Sequence, residues 1–208
     1  MSHPDIRICF VGDSFVNGTG DPDCLGWTGR VCAVAAGGSD RAVSQARDLT
    51  YYNLGVRRET TADISRRWQS EVACRLPKGC DGRVAFSFGV NDTTAEENKT
   101  RIALSDSIRN ADAILSVAQR HYNVLMVGPL PIADAEQNRR TSELSDRFAS
   151  LCNALKIPYL NVFTPLSHSE QWMQQVQARD GAHPGAAGYA ELADLVQGWD
   201  AWLRWFDH

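Results

Sequence analysis

The chain has 208 residues, a length typical of one domain with a core of its own, and we predict a single domain over residues 1–208. Hydrophobic residues at 43% and charged residues at 22% exclude a disordered chain, and a formal net charge of -4 argues against nucleic acid as the main partner. No apolar run approaches the roughly 20 residues that span a bilayer, so no stable membrane insertion is expected.

Five apolar segments are predicted as strands, and helical patterns separate them. The strands are expected at residues 6–11, 50–54, 83–88, 123–127 and 157–162. The helices are expected at about 26–36, 60–74, 98–121 and 139–155, with a last one at about 186–206. Strands that alternate with helices predict an α/β fold with a five-stranded parallel sheet covered on both faces. Because crossovers are right-handed, the loops after the first three strands meet at one edge, where ligands bind in such folds.

The last predicted helix has a wide apolar stripe rich in tryptophan. Its members recur at three- and four-residue spacing: Leu192, Leu195, Val196, Trp199, Trp202, Leu203 and Phe206. Such a stripe suits a helix packed on the sheet, or a face that binds a membrane or a partner. We favour packing on the sheet, because the helix lacks the basic polar face of membrane-surface helices.

The N-terminus and the cysteines bear on the cellular compartment. Residues 1–5 pass almost directly into the first predicted strand, which leaves no room for a signal peptide. If the chain begins here naturally, we expect a cytoplasmic protein whose six cysteines are reduced thiols. Cys74 and Cys80 are the pair that could bridge in an oxidising compartment. The cysteine and histidine spacings match no zinc motif, so no metal site is predicted.

Ser14 follows the first predicted strand in the turn Gly12-Asp13-Ser14. A serine at a strand-to-helix turn exposes its hydroxyl at the sheet edge, beside the backbone amides of the turn. Alone, this position suits a helix cap as well as it suits a nucleophile. The sequence around it is neither a P-loop nor a dinucleotide-binding loop, and the chain contains no Gly-x-Ser-x-Gly motif.

His183 is a candidate base for that serine. It alone among the five histidines has a carboxylate three residues earlier, Asp180, in a glycine-containing loop. A short loop can place Asp180 against one ring nitrogen while the other faces a serine hydroxyl. The alternative is a surface histidine near an acidic residue.

Two more loops offer hydrogen-bond donors for an oxyanion. Asn91 follows the third predicted strand, and its neutral amide can stabilise negative charge at the same edge as Ser14. Gly55 follows the second predicted strand and can add a backbone N–H. Both residues also suit ordinary turns. We interpret Asp13 and Asp92 as structural residues that cap or orient their loops.

These four segments resemble the sequence blocks of the GDSL, or SGNH, hydrolase superfamily. The resemblance implies a flavodoxin-like three-layer α/β/α fold and no cofactor or metal. It implies Ser14 as the nucleophile, with His183 and Asp180 as its catalytic partners. It also implies an oxyanion hole formed by Ser14, Gly55 and Asn91.

The resemblance further implies a serine esterase or lipase-type acylhydrolase, acting on small-molecule acyl esters through an acyl-serine intermediate. We expect short acyl groups. Phe15 stands where the family name has leucine, which puts the shape of the acyl pocket in question. A carbohydrate acetylesterase or an acyl thioesterase would use the same site, and a flavodoxin-like module that binds a small ligand is the non-enzymatic alternative. Arg57 and Arg58 either attract an anionic substrate or are simply solvated, and the residues leave the oligomeric state open.

Overall fold

The computed structural model describes residues 5–37 and 48–207. The strands are β1 (Ile6–Gly12), β2 (Leu49–Gly55), β3 (Asp81–Ser87), β4 (Ala95–Glu96), β5 (Lys99–Thr100), β6 (Asn123–Val127) and β7 (Tyr159–Leu160). The helices are α1 (Ser14–Asn17), α2 (Gly26–Ala35), α3 (Thr61–Arg75), α4 (Leu104–Ala118), α5 (Ala135–Leu155), α6 (Phe163–Ser167), α7 (Glu170–Gln177), α8 (Ala186–Gln197) and α9 (Asp200–Leu203). Short 3-10 turns occupy Asn91–Thr93 and Arg204–Phe206.

Five strands form one parallel sheet in the order β2-β1-β3-β6-β7, which confirms the predicted sheet. β1 lies between β2 and β3, so Gly12 at its carboxyl end is level with Gly55 and with Ser87. The chain leaves β1 toward β2 on one side and returns to β3 on the other. In open sheets of this kind, ligands bind at the carboxyl edge where the strand order reverses, which here is between the loops after β1 and β3.

Helices cover both faces of the sheet, as predicted. Side chains alternate along β1: Ile8 and Phe10 belong to one buried core, while Cys9 and Val11 belong to the other. α2 and α8 pack together on the first face, and α3, α4 and α5 pack side by side on the second. The result is a three-layer α/β/α arrangement.

The C-terminal segment packs on the core, as its apolar stripe predicted. The prediction of one continuous helix was wrong, because α8 ends at Gln197, with Gly198 as its C-cap, and α9 starts a new helix at Asp200. Trp202 and Phe206 are buried in the first core. Arg83 of β3, only 1% exposed, donates a hydrogen bond to the carbonyl of Trp205 and so holds this segment to the sheet.

Other boundaries differ from the predictions for local reasons. α4 begins at Leu104 and not near 98, because β4 and β5 form a hairpin whose Glu97 and Asn98 both have positive φ. α5 begins earlier than 139, because the Asp134 side chain caps it by accepting the N–H of Gln137. β7 covers only two residues of the predicted strand 157–162.

All six cysteines are free thiols, and Cys74 and Cys80 are not bridged. No helix among residues 5–37 and 48–207 is long and apolar enough to cross a membrane. Over the same two ranges, no group of three or more His, Cys, Asp or Glu side chains is arranged to hold a metal ion.

Candidate active site

The turn that carries Ser14 is tightly built between β1 and β3. A Cβ atom on Gly12 would lie 1.9 Å from the carbonyl oxygen of Ser87, so only glycine allows the two strand ends to approach this closely. Asp13 then caps α1, since its Oδ1 accepts the N–H of Phe15 at 3.0 Å. Ser14 becomes the first residue of the short helix and is 4% exposed.

A chain of three hydrogen-bonded side chains ends at Ser14. The Ser14 hydroxyl lies 2.7 Å from Nε2 of His183, and Nδ1 of the same ring lies 2.7 Å from Oδ2 of Asp180. The other carboxylate oxygen accepts the N–H groups of His183 at 2.8 Å and of Ala182 at 3.0 Å. The structure therefore brings together all three residues that the sequence predicted as nucleophile, base and orienting acid.

The charge of Asp180 sets the tautomer of the histidine. Burial opposes the charged form of this carboxyl, but the hydrogen bonds from His183 and from the Ala182 N–H outweigh it and lower its pKa to about 2. A carboxylate only accepts hydrogen bonds, so Nδ1 of His183 carries the ring proton. Nε2 is then free to accept the proton of the Ser14 hydroxyl.

Packing fixes the loop that carries His183. The carbonyl of Gly181 accepts the N–H of Ala133 at 2.8 Å, which ties the loop to the segment after β6. The ring centroid of Phe15 lies 5.0 Å from that of the His183 imidazole and 6.4 Å from that of the Trp172 indole. Phe15 is 2% exposed, so the residue that departs from the family name supports the histidine from the core.

Asn91 lies in the 3-10 turn after β3, close to the turn of Ser14. Its side-chain Nδ2 donates to the carbonyl of Glu59 at 2.9 Å and is 3.4 Å from Oδ2 of Asp13. The second contact is long for a hydrogen bond, so one of the two amide hydrogens is weakly held. The structure thus brings the predicted donor Asn91 to the sheet edge where Ser14 lies.

Gly55 is placed differently from the expectation of a free amide donor. Its N–H donates to Oδ1 of Asn53 at 3.0 Å. A Cβ atom here would lie 2.1 Å from the backbone nitrogen of Asn17, so glycine is needed for the close packing of β2 against α1. Gly55 donates to an oxyanion only if the side chain of Asn53 first turns away.

The two other aspartates have contacts that agree with a structural interpretation. Asp92 is fully buried and accepts the N–H of Thr61 at 2.8 Å and its hydroxyl at 2.6 Å, which joins the loop after β3 to the start of α3. Burial raises the pKa of Asp92, while hydrogen bonds from Ser107 and Thr61 oppose the rise. Burial also raises the pKa of Asp13, to about 7, against the bond from the Phe15 N–H.

The arginine pair after Gly55 lies at the rim of this region. Arg57 is exposed, and the guanidinium of Arg58 is 3.7 Å from the carboxylate of Glu96 in the β4–β5 hairpin. Arg58 adopts a left-handed backbone conformation with φ of 67°. Its carbonyl accepts a hydrogen bond from Arg101 at 2.8 Å, which fixes this unusual turn.

No role was predicted for Asn53, Glu59 or Arg67, whose side chains or carbonyls organise the loops around the site. Asn53 engages Gly55, and Glu59 provides the carbonyl that holds Asn91. Arg67 binds the carboxyl ends of two strands. A polar residue at the end of a strand was a usable signal for Asn53, whereas the other two act through main-chain oxygens that leave no sequence pattern.

Comparison with known proteins identifies the family to which this chain belongs. The model of the GDSL-like lipase/acylhydrolase family matches residues 10–191. The structure of a lipase/acylhydrolase from Enterococcus faecalis is similar, with a TM-score of 0.70 and 22% identity, over 92% of this chain and 93% of that chain. Axe2, an acetylxylan esterase from Geobacillus stearothermophilus, has a TM-score of 0.74 and 15% identity, over 96% of this chain and 97% of that one.

A curated relative, the uncharacterized protein YpmR of Bacillus subtilis (strain 168), is 20% identical over 171 residues. The match covers 82% of this chain but only 56% of the length of that relative. The parallel five-stranded sheet flanked by helices is the fold of the SGNH hydrolases, as expected from the sequence. Because the family model matches residues 10–191, the chain belongs to the GDSL-like lipase/acylhydrolase family, a family of ester-hydrolysing enzymes.

Proposed function

We propose that this chain is a single-domain serine esterase that cleaves small carboxylic esters through an acyl-serine intermediate. The observation that carries the proposal is the continuous hydrogen-bonded chain from Ser14 through His183 to Asp180. A serine hydroxyl is a weak nucleophile by itself and needs a base within hydrogen-bonding distance. The 2.7 Å contact to Nε2 meets that requirement before any substrate binds.

The reaction follows from the positions of these atoms. The oxygen of Ser14 attacks the acyl carbon while Nε2 of His183 takes the hydroxyl proton, and Asp180 stabilises the resulting imidazolium. The imidazolium returns the proton to the leaving alcohol oxygen as the C–O bond breaks. Water, deprotonated by the same ring, then attacks the acyl-serine. The ring returns this proton to the Ser14 oxygen as its bond to the acyl carbon breaks, and the acid is released.

The tetrahedral intermediate requires donors for its negative oxygen. We assign this role to the backbone N–H of Ser14, at the start of α1, and to the side-chain amide of Asn91. The amide hydrogen that points toward Asp13, whose Oδ2 lies 3.4 Å from Nδ2 of Asn91, is the one available, since the stronger bond to Glu59 holds the amide in place. Gly55 joins as a third donor once Asn53 releases its N–H.

The confinement of Ser14 supports a short acyl group. Ser14 is 4% exposed and His183 is 8% exposed, so little open surface leads to the hydroxyl, which favours a small acyl group. The same confinement favours a second candidate function, the removal of acetyl groups from carbohydrates, which is the activity named for the structural neighbour Axe2. In both cases the acyl group is small, and the two proposals differ only in the alcohol.

The first test is burst kinetics with p-nitrophenyl acetate on the wild type and Ser14→Ala, with mass spectrometry of the trapped acyl-enzyme. We expect an adduct on Ser14 and a fall in kcat of at least about 10⁴-fold in the variant. Ser150→Ala, an exposed serine of α5, is the matched control and keeps wild-type turnover. Wild-type turnover by a folded Ser14→Ala variant would contradict the proposal, and binding without any turnover would favour the ligand-binding module.

A second experiment separates the two substrate classes. Acetyl, butyryl and octanoyl p-nitrophenyl esters are compared with acetylated xylo-oligosaccharides by kcat/KM. A short-chain esterase prefers acetyl over octanoyl esters, whereas a carbohydrate acetylesterase shows a higher kcat/KM for the acetylated sugar than for the aryl ester. A preference for the octanoyl ester would contradict the short acyl group.

A further inference from the structure

Arg67 of α3 makes contacts unlike those of the other arginines on its helix. Its Nη2 donates to the carbonyl of Gly12 at 3.1 Å and to the carbonyl of Leu54 at 2.9 Å. Its Nε donates to the carboxylate of Glu59 at 2.6 Å, and its Nη1 donates to Glu71 at 3.2 Å. The side chains of Arg67 and Glu59 are each 17% exposed, so water screens these bonds only in part.

The contacts of Arg67 with Gly12, Leu54 and Glu59 each hold a different segment of the site. Gly12 is the last residue of β1 and directly precedes the turn with Ser14. Leu54 lies one residue before the end of β2. Glu59 belongs to the loop after β2, and its own carbonyl accepts the side-chain amide of Asn91 at 2.9 Å. One guanidinium therefore connects the nucleophile turn to the loop that holds the predicted oxyanion donor.

We propose that Arg67 is a positioning residue for the reaction, one that sets the placement of Ser14 relative to Asn91. The inference rests on the proposed serine esterase activity and adds a residue outside the group of reacting side chains. The guanidinium is planar and presents its donors in a fixed fork, so it can hold two carbonyls and a carboxylate at set distances. Lysine has a single point charge and cannot reproduce this fork.

A merely structural arginine and a positioning arginine have different kinetic consequences. Loss of stability lowers the number of folded molecules but leaves the rate of each folded active site unchanged. Misplacement of Ser14 relative to Asn91 lowers kcat for every folded site, with KM little changed, because the affected interaction forms in the transition state. A displacement of about 1 Å at a reacting centre costs roughly a hundredfold in rate.

The experiment measures kcat and KM per active site, with sites counted by complete labelling with a fluorophosphonate. Arg67→Gln is compared with Arg67→Lys and with Arg75→Gln. Arg75 lies on the same helix and also binds Glu71, because its Nη1 donates to the backbone carbonyl of Glu71 at 2.7 Å. Arg75 makes no hydrogen bond to the described residues at the end of β1 or of β2. We expect kcat of Arg67→Gln to fall about 10- to 100-fold at nearly constant KM, Arg67→Lys to recover only part, and Arg75→Gln to match the wild type.

Equal kcat per labelled site for Arg67→Gln and Arg75→Gln would overturn the inference, even if Arg67→Gln melted at a lower temperature. If circular dichroism shows that Arg67→Gln does not fold, Glu59→Gln replaces it, because this change weakens the link to the loop but leaves the arginine on both strand carbonyls. Wild-type kcat in Glu59→Gln would then overturn the inference. A wild type that neither turns over nor labels would overturn the esterase proposal itself, and the role of Arg67 with it.

Discussion

Replacing Asp180 by asparagine tests how the imidazole of His183 is held. Oδ2 of Asp180 lies 2.7 Å from Nδ1 of the ring, while Oδ1 accepts two backbone N–H groups. An asparagine that keeps its oxygen on those N–H groups must turn its NH₂ group toward Nδ1. The ring then accepts at Nδ1 and carries its proton on Nε2, so it cannot take the proton of Ser14.

Two effects contribute to the expected loss, and their sizes differ. The side chain of Asp180 is 51% exposed, so water screens its attraction to the imidazolium, and an exposed pair of this kind contributes at most about 1 kcal/mol. The change of tautomer removes the base, and the equivalent substitution in a serine protease triad lowers kcat about 10⁴-fold. That factor corresponds to about 5.5 kcal/mol of activation free energy. The tautomer effect dominates, and we expect a loss of about 10⁴-fold in kcat with KM little changed.

The assay is p-nitrophenyl acetate hydrolysis from about pH 5 to pH 9. Because the pKa of Asp180 is about 2, this carboxyl stays charged over the whole range and its own titration does not shape the profile. Asp194→Asn, at an exposed position of α8, is the matched control and retains wild-type kcat. A folded Asp180→Asn variant that loses less than tenfold in kcat would refute the assignment of the Nδ1 proton to this hydrogen bond.

Two further substitutions test the oxyanion donor and the buried acid. Asn91→Ala should lower kcat about 10²- to 10³-fold at nearly constant KM, whereas a rise in KM alone would place Asn91 in substrate binding. Burial raises the pKa of Asp13 from 3.8 to about 7, so the folded state retains a proton that the unfolded state releases, and stability falls as the pH rises from about 4 to 7. The free energy of unfolding, measured by urea denaturation, should therefore fall by up to about 4 kcal/mol less in Asp13→Asn than in the wild type over this pH range. Parallel curves of unfolding free energy against pH for the two proteins would contradict this explanation.

The sheet could be predicted from the sequence because its strands are buried on both faces. Ile8, Cys9, Phe10 and Val11 are all fully buried, so β1 appears in the sequence as one uninterrupted apolar run. α7 could not be found in this way. Only Trp172 and Val176 of its eight residues are buried, and a single pair four residues apart is too short a pattern to indicate a helix.

The boundaries that were wrong depend on turns with weak local signals. The hairpin of β4 and β5 uses Glu97 and Asn98 at positive φ, and a single asparagine without a neighbouring glycine is only a weak signal for such a turn. The apolar stripe of the last predicted helix continues past Gly198, although the helix itself stops there. Burial of the stripe was thus predictable, because packing follows the apolar residues and not the continuity of the helix.

Some residues of the candidate site could likewise be predicted from the sequence, and others could not. Ser14, His183 and Asp180 carry the atoms that are proposed to react, and their side-chain chemistry marks them in the sequence. The N–H of Gly55 has no such mark, and its engagement by Asn53 depends on a side-chain rotamer that the sequence does not specify. Hydrogen bonds to main-chain carbonyls from residues distant in the chain are equally invisible without the fold.

The sheet and the buried carboxylates determine different parts of the site. Strand register places Gly12, Gly55 and Ser87 level with one another, but it does not fix the loops that follow them. Asp13 and Asp92 hold those loops, and burial raises the pKa of both, so burial disfavours their charged forms. A buried carboxyl with an elevated pKa is a poor source of stability. What these two residues contribute is the placement of Ser14 and Asn91, and the fold tolerates their cost because the apolar cores on both faces of the sheet supply the stability.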